Sequence, residues 1–348
     1  MTIEDDLILP GPFDLAGTEA PWFLPDDEAE DPAGSDLAPL PRSERASLVD
    51  AAGWRAAEAA LAADLADLAF DAGRLAERLV MAGPGAVRRL ALDEASSLSW
   101  WAGDRITGDR LALWLSYRIG AAEEGGEGLI RTAWAARRLM APAGQGAGPG
   151  RGLAALLEAT LGEEGRADPE LLGDVAATLA PLSGCSAWTR GAALFHLWRS
   201  LDERPDHLRG LEAAVIGMRL AAGQGALPFL PLSLTGFSAL TASGSPEARL
   251  AGWIAGAHRA VLAALMRLER LSAWQSRALA ETADLSGRTP AKLIAALAAH
   301  PMLAAPQAEA ETRASRAAVQ RNLDVLVARG LVREVTGQGR FRVWAAKL

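Results

Sequence analysis

Eight residues near the end of the chain have the types and spacing that one chemistry requires. Arg313, Ser315, Arg316, Gln320 and Arg321 fall within nine residues, and Gln338, Arg340 and Arg342 within a further five. Arg and Gln side chains hydrogen-bond base edges, while Arg and Ser hold phosphate oxygens. Such groups read double-stranded DNA when a helix narrow enough for the major groove presents them and a neighbouring element reaches the backbone or the minor groove. Arg316, Gln320 and Arg321 lie off the apolar stripe Val319, Leu323, Leu326 and Val327, where they would read bases or clamp the groove. Arg313, Arg340 and Arg342 would hold phosphates, with Ser315 at the start of the helix and Gln338 in a turn.

The elements that must position these residues are legible from residue 286 onward. Thr289 is a helix-capping residue type and Pro290 suits the first helical position, so a helix carrying Leu293, Ile294 and Leu297 is expected, ending near His300-Pro301. After Pro306, residues Gln307 to Glu311 suffice for one or two turns. A second start signal stands at Ser315, and Gly330 stops the helix that follows. The period then changes to two. Leu331 to Val335 reads as a strand, Thr336 to Gly339 as a turn and Arg340 to Trp344 as a returning strand, with Phe341 and Val343 on one face and Arg340, Arg342 and Trp344 on the other. Three small helices followed by a β-hairpin is the winged helix-turn-helix arrangement, which serves DNA binding and plain protein-protein contact alike.

The rest of the chain reads as mainly α. Half of the residues are hydrophobic but only 5% are aromatic, and Ala, Leu, Glu and Arg dominate over β-branched types. Residues 46 to 285 are expected to form a helical bundle. Its helices should run from Ser47 to about Met81, from Val87 to Ile119 with a break at Gly103 and Gly108, and over 128–140, 153–161, 169–179, 186–201 and 207–220. Leu227 to Leu234 is extended and apolar, and should pack across the bundle. Ser245-Pro246-Glu247 opens the longest helical pattern, some 35 to 40 residues by its spacing and on the order of 55 Å. It serves either as a core helix or as a dimerisation or linking element.

Charge is unevenly distributed along the chain. The net formal charge is −8, yet residues 1 to 45 carry 12 acids against 2 bases, and residues 286 to 348 carry 4 acids against 10 bases. The middle is left at −4. The first segment, rich in Asp, Glu, Pro and Gly, is expected to be a disordered acidic arm, either a solvated tail or a mask for the basic end. The basic end has the electrostatic footprint of a DNA-binding domain, and its modest surplus calls for a homodimer or a second contact surface.

Little in the sequence supports catalysis. The four His residues are scattered without metal-ligand spacing, and Cys185 is alone, so no metal or cofactor is expected. The alternating glycines between Gly144 and Gly152 have no preceding strand and no Lys-Ser or Lys-Thr after them, so a phosphate-binding loop fails on context. Carboxylate pairs such as Glu123-Glu124 and Glu163-Glu164 fit polar loops, and His196 fits a hydrogen-bonded core or boundary site. No signal-peptide pattern or long apolar run is present, which implies a cytoplasmic protein without membrane contact.

The string from Gly330 to Trp344, together with Leu227-Pro228-Phe229-Leu230, resembles a family of uncharacterised alphaproteobacterial proteins, many plasmid-borne and of rhizobial type, that carry a C-terminal helix-turn-helix. The resemblance spans about Trp54 to the end and implies DNA binding. The order of features is similar, more distantly, to Fic-type proteins followed by a winged helix. The residues concerned are Glu94-Ala95-Ser96-Ser97 in an early helix, the Leu227 to Leu234 segment and the Ser-Pro opening of another helix. Where a Fic enzyme needs its His-Pro-Phe motif and glycine-rich turn, this chain has Asp202 to Gly210 without Gly-Asn-Gly, so that resemblance implies a degenerate, non-catalytic Fic-like body. The expected function is a DNA-binding regulator of transcription or of plasmid and mobile-element maintenance. The alternatives are a divergent Fic-like nucleotide-binding or nucleotidyl-transferring enzyme, and a structural subunit that uses the winged helix for protein contact.

Overall fold

The structure is a computed structural model that describes residues 49–118, 126–142, 153–161, 169–201, 206–223, 225, 227–337 and 342–348, with 206–208 as backbone alone. The expected arm, the glycine-alternating loop from 143 to 152, both carboxylate pairs, residues 202–205 and residues 338–341 lie outside them.

The described chain is mainly helical, as its composition requires. Asp50 accepts from the Gly53 amide at 2.8 Å and starts α1 (Ala51–Ala60). The expected single helix to Met81 divides here, because Leu61 leaves helical geometry while its N–H still reaches Ala57, and α2 (Ala62–Ala82) follows. Gly83, at φ +77°, turns the chain into α3 (Pro84–Trp101), whose Pro84 needs no amide partner. Thr107 caps α4 (Gly108–Tyr117), at the break expected from Gly103 and Gly108. The helices α5 (Gly126–Met140), α6 (Leu153–Leu161), α7 (Pro169–Leu179), α8 (Ala187–Leu201), α9 (Asp206–Ala221) and the short α10 (Ser238–Thr241) complete the body. Ser245 caps α11 (Pro246–Glu281), whose 36 residues make a rod of about 54 Å.

Beyond α11 the order is helix, strand, helix, helix, strand, strand: α12 (Thr289–Ala299), β1 (Leu303–Ala304), α13 (Ala305–Thr312), α14 (Arg316–Ala328), β2 (Val332–Glu334) and β3 (Val343–Ala346). Thr289 is the first residue of α12 rather than its cap; Arg288 stands at the cap without a side-chain bond. The strands form one antiparallel sheet in the order β1-β3-β2, with Leu303 opposite Trp344 and Val332 opposite Ala346.

The described residues, from 49 on, form one compact unit containing two apolar clusters. The larger fills the body around Phe195, Phe229 and Trp253. The smaller joins Leu293, Ile294, Leu297, Leu323 and Leu326 to Leu271, Trp274 and Ala278, so α11 supplies side chains to both. The sheet does the same. Val343 and Ala345 pack into the body cluster, and Trp344 and Ala346 into the smaller one, following the two-residue alternation of a strand. Trp344 was expected on the outward face beside Arg342; it is 1% exposed, because β3 is the central strand and both its faces are covered.

Leu227 to Leu232 is buried and extended across the bundle, where α3 holds it. The Oε1 atom of Glu94 accepts from the amides of Leu232 and Ser233 at 2.9 and 2.7 Å and from the Ser233 hydroxyl at 2.8 Å, while the Ser97 hydroxyl donates to the Ser233 carbonyl.

Candidate nucleic-acid interface

The turn between α13 and α14 consists of Arg313, Ala314 and Ser315 and brings five of the eight sequence-derived residues together. Arg313 adopts a left-handed conformation, φ +53°, that closes α13 while its amide bonds to the Glu309 carbonyl. A β-carbon in that region costs on the order of 1 kcal/mol, so surrounding bonds must hold it. Lys292 of α12 helps, donating from Nζ to the Thr312 carbonyl at 2.9 Å. On the far side of the turn, the Ser315 hydroxyl accepts from the Ala318 amide and starts α14. Ser315 is therefore engaged in fixing the helix start.

The stripe Val319, Leu323 and Leu326 buries one side of α14 against α12, α13 and β2. The opposite side stays exposed, with Arg316 and Arg321 at its N-terminal half. The side chains of Arg313, Arg316 and Arg321 make no hydrogen bond or ion pair with the described residues. Gln320, one turn after Arg316, donates from Nε2 to Asp324 Oδ1 at 2.8 Å. Arg342, the residue before β3, comes to the same carboxylate: its guanidinium lies 3.8 Å from Asp324, 3.7 Å from Glu334 and 5.1 Å from the Trp344 ring centroid. Expected to hold phosphate, Arg342 is bound among two acids and an indole face. Gln338 and Arg340 lie outside the described residues.

Sequence reasoning missed the contacts that orient this module. From α3, Arg89 donates to the carbonyls of Leu297, Ala298 and His300, the last at 2.8 Å, and so caps the end of α12. Burial lowers its guanidinium pKa to about 10. Gly85 lets α3 approach: a β-carbon there would meet the Ala299 carbonyl oxygen at 2.2 Å. Tyr117 Oη donates to Gln307 at 2.8 Å and accepts from the Ala304 amide at 2.8 Å, and Arg333 binds both oxygens of Asp109 at 2.8 and 2.7 Å. Trp274 Nε1 donates to the Leu331 carbonyl at 2.8 Å. The only local signal was Lys292, a cation off the apolar stripe of α12; the other partners lie far apart in sequence.

No protein-family model and no curated protein matches the chain.

Two titratable groups stand out in the body. Burial raises the Glu94 carboxyl to about 7, against the three donors that lower it, and its Oε2 atom has no partner. Burial, with Arg249 and Arg199 adding to it, lowers His196 to about 3. Expected to be hydrogen-bonded, His196 instead has no partner at Nε2 and packs edge-on to Phe195 at 5.0 Å and against Trp54 at 6.2 Å. The Ser233 hydroxyl beside Glu94 is itself buried, 1% exposed. Among the described residues no three His, Cys, Asp or Glu side chains are grouped to hold a metal, and no helix is long and apolar enough to cross a membrane.

Proposed function

We propose that this protein is a DNA-binding regulator whose C-terminal module works as a winged helix-turn-helix on a non-catalytic helical body. The observation that carries the reading is the α14 face: Arg316 and Arg321 exposed with Gln320 between them, entered through a three-residue turn ending in a capping serine. That turn length fits a helix-turn-helix, and the order helix, strand, helix, helix, strand, strand supports the winged reading. Arg316, Gln320 and Arg321 would face base edges, and Arg313 a phosphate at the turn. The module's small cationic surplus fits a homodimer on two half-sites, regulating transcription or the maintenance of a plasmid or mobile element.

The test is binding of the full chain to random-sequence duplex at a series of salt concentrations. Affinity should fall steeply with salt, and the pair Arg316→Ala and Arg321→Ala should flatten the log-log slope by about two units. A salt-independent signal, or a slope unmoved by the pair, would overturn the reading. One observation favours contact with a protein instead: Asp324 sits on the same face as the arginines and occupies Gln320 and Arg342. On that reading no duplex binds.

A further inference from the structure

Two neighbouring open chambers that share part of their lining lie where the sheet and residues 347–348 meet α3, α4 and α11. The larger chamber, about 330 Å³, has an apolar wall of Leu92, Ala112, Met302 and Ala345. The smaller, about 220 Å³, lies between α3 and α11. Arg89, Asp93 and Leu348 line both.

The charges around the chambers do not balance. Arg89, Arg267, Arg270, Arg333 and Lys347 face Asp93, Asp109 and the main-chain carboxylate of Leu348, five cationic side chains against three carboxylates. Arg333 is paired with Asp109, and Arg267 Nε lies 3.2 Å from Asp93. Arg89 is near Asp93, one turn away on α3, without a hydrogen bond to it, and Arg270 and Lys347 have no acidic side chain in contact among the described residues. Arg89 spends Nε and Nη2 on the α12 carbonyls, which leaves Nη1 without a hydrogen bond among the described residues. The side chains of Arg270 and Lys347 make none with those residues. Three of the five cations, Arg89, Arg267 and Arg270, belong to the body, whose residues 46 to 285 have a net charge of −4, and two belong to the basic C-terminal segment. A concave site at the meeting of two packed modules, with an apolar wall and a few cations lining it, is the usual form of a small-molecule pocket, and the larger chamber alone is within the usual range of volume.

We propose that this concave site binds a small polyanion: a molecule bearing two or three phosphate or carboxylate charges on a short frame, held by Arg89 Nη1, Arg270 and Lys347. Such a ligand would bridge α3, α11 and the end of β3. It reaches beyond the proposed function, and its binding does not require that reading.

The experiment is isothermal titration of the full chain with citrate and, separately, with pyrophosphate at fixed ionic strength, alongside the double variant Arg270→Ala and Lys347→Ala. Both residues are exposed, so the variant should melt with the wild type. The expected result is saturable binding of at least one probe at one site per chain, weakened about tenfold or more in the variant. Preference for citrate assigns the site to carboxylates and preference for pyrophosphate to phosphates. Absence of saturable binding by either probe below about 10 mM, or equal affinity in the double variant, would overturn the proposal. The titration contains no DNA, so its failure leaves the proposed function standing.

Discussion

Arg313 combines two demands on one residue. Its left-handed backbone would suit glycine, yet its side chain stands at the turn before α14. Arg313→Gly should therefore leave stability within roughly 1 kcal/mol of wild type, because relief of strain offsets the added chain entropy. If the proposed function holds, the same change should lower the salt slope of DNA binding by about one unit. Denaturation and titration of one sample check both halves. Glu94 makes a different demand. Its folded pKa of about 7 lies above that of an ordinary glutamate, so the fold binds a proton that the unfolded chain releases more readily. The corresponding stability is present in full below the unfolded pKa near 4.3 and is lost as pH rises through about 7. Urea melts from pH 5 to 8 should show a fall of roughly 3 kcal/mol. Glu94→Gln, which keeps an acceptor for Leu232 and Ser233, should flatten that profile. Glu94→Leu should cost roughly 3 kcal/mol or more at every pH by stranding two buried amides.

Among the elements, α3 meeting α12 is the contact most exposed to a single change. Gly85→Ala puts a carbon into the Ala299 carbonyl, and neither backbone yields as a side chain does. A cost of about 3 kcal/mol is expected, at the upper end for overpacking, with a lowered urea midpoint as readout. Local patterns made much of the architecture readable. Serines at 245 and 315 do cap α11 and α14, Gly83 and Thr107 stand at real boundaries, and the long apolar repeat after Pro246 is one helix. Each of these signals lies within a few residues of what it specifies. The break at Leu61 has no such mark, since Leu is a good helix former. Nor could the outer face of β3 be read: Val343 and Trp344 look like the two sides of an exposed hairpin until the body covers one of them. The exposed side of α14 was legible because its stripe is regular. The carboxylates that receive Arg342 and Arg333 were not, because tertiary pairing leaves no periodic trace.

At the scale of the whole molecule, Trp274 and Leu271 lie in the cluster built by α12, α13 and α14, while Trp253 and Ile254 of the same helix lie in the body. Residues 49 to 348 should consequently unfold in one cooperative transition, with tryptophan fluorescence and far-ultraviolet dichroism giving the same midpoint. Residues 286 to 348 made alone lose the Trp274 cover and should melt well below the full chain; an equal midpoint would show that the two clusters are energetically independent. Continuity of α11 also restricts how a signal can travel. A hinge needs a few residues that absorb large dihedral changes, and none interrupts the hydrogen-bonded rod between the clusters. Reorientation of α14 relative to the body is left to shear, with small sliding of β3 and α12 over α3 and α4 and exchange of partners at Arg89, Tyr117 and Arg333. Any rearrangement in a molecule built this way would be an ångström-scale slippage of a packed seam, changing the outline little and chiefly which polar contacts are made.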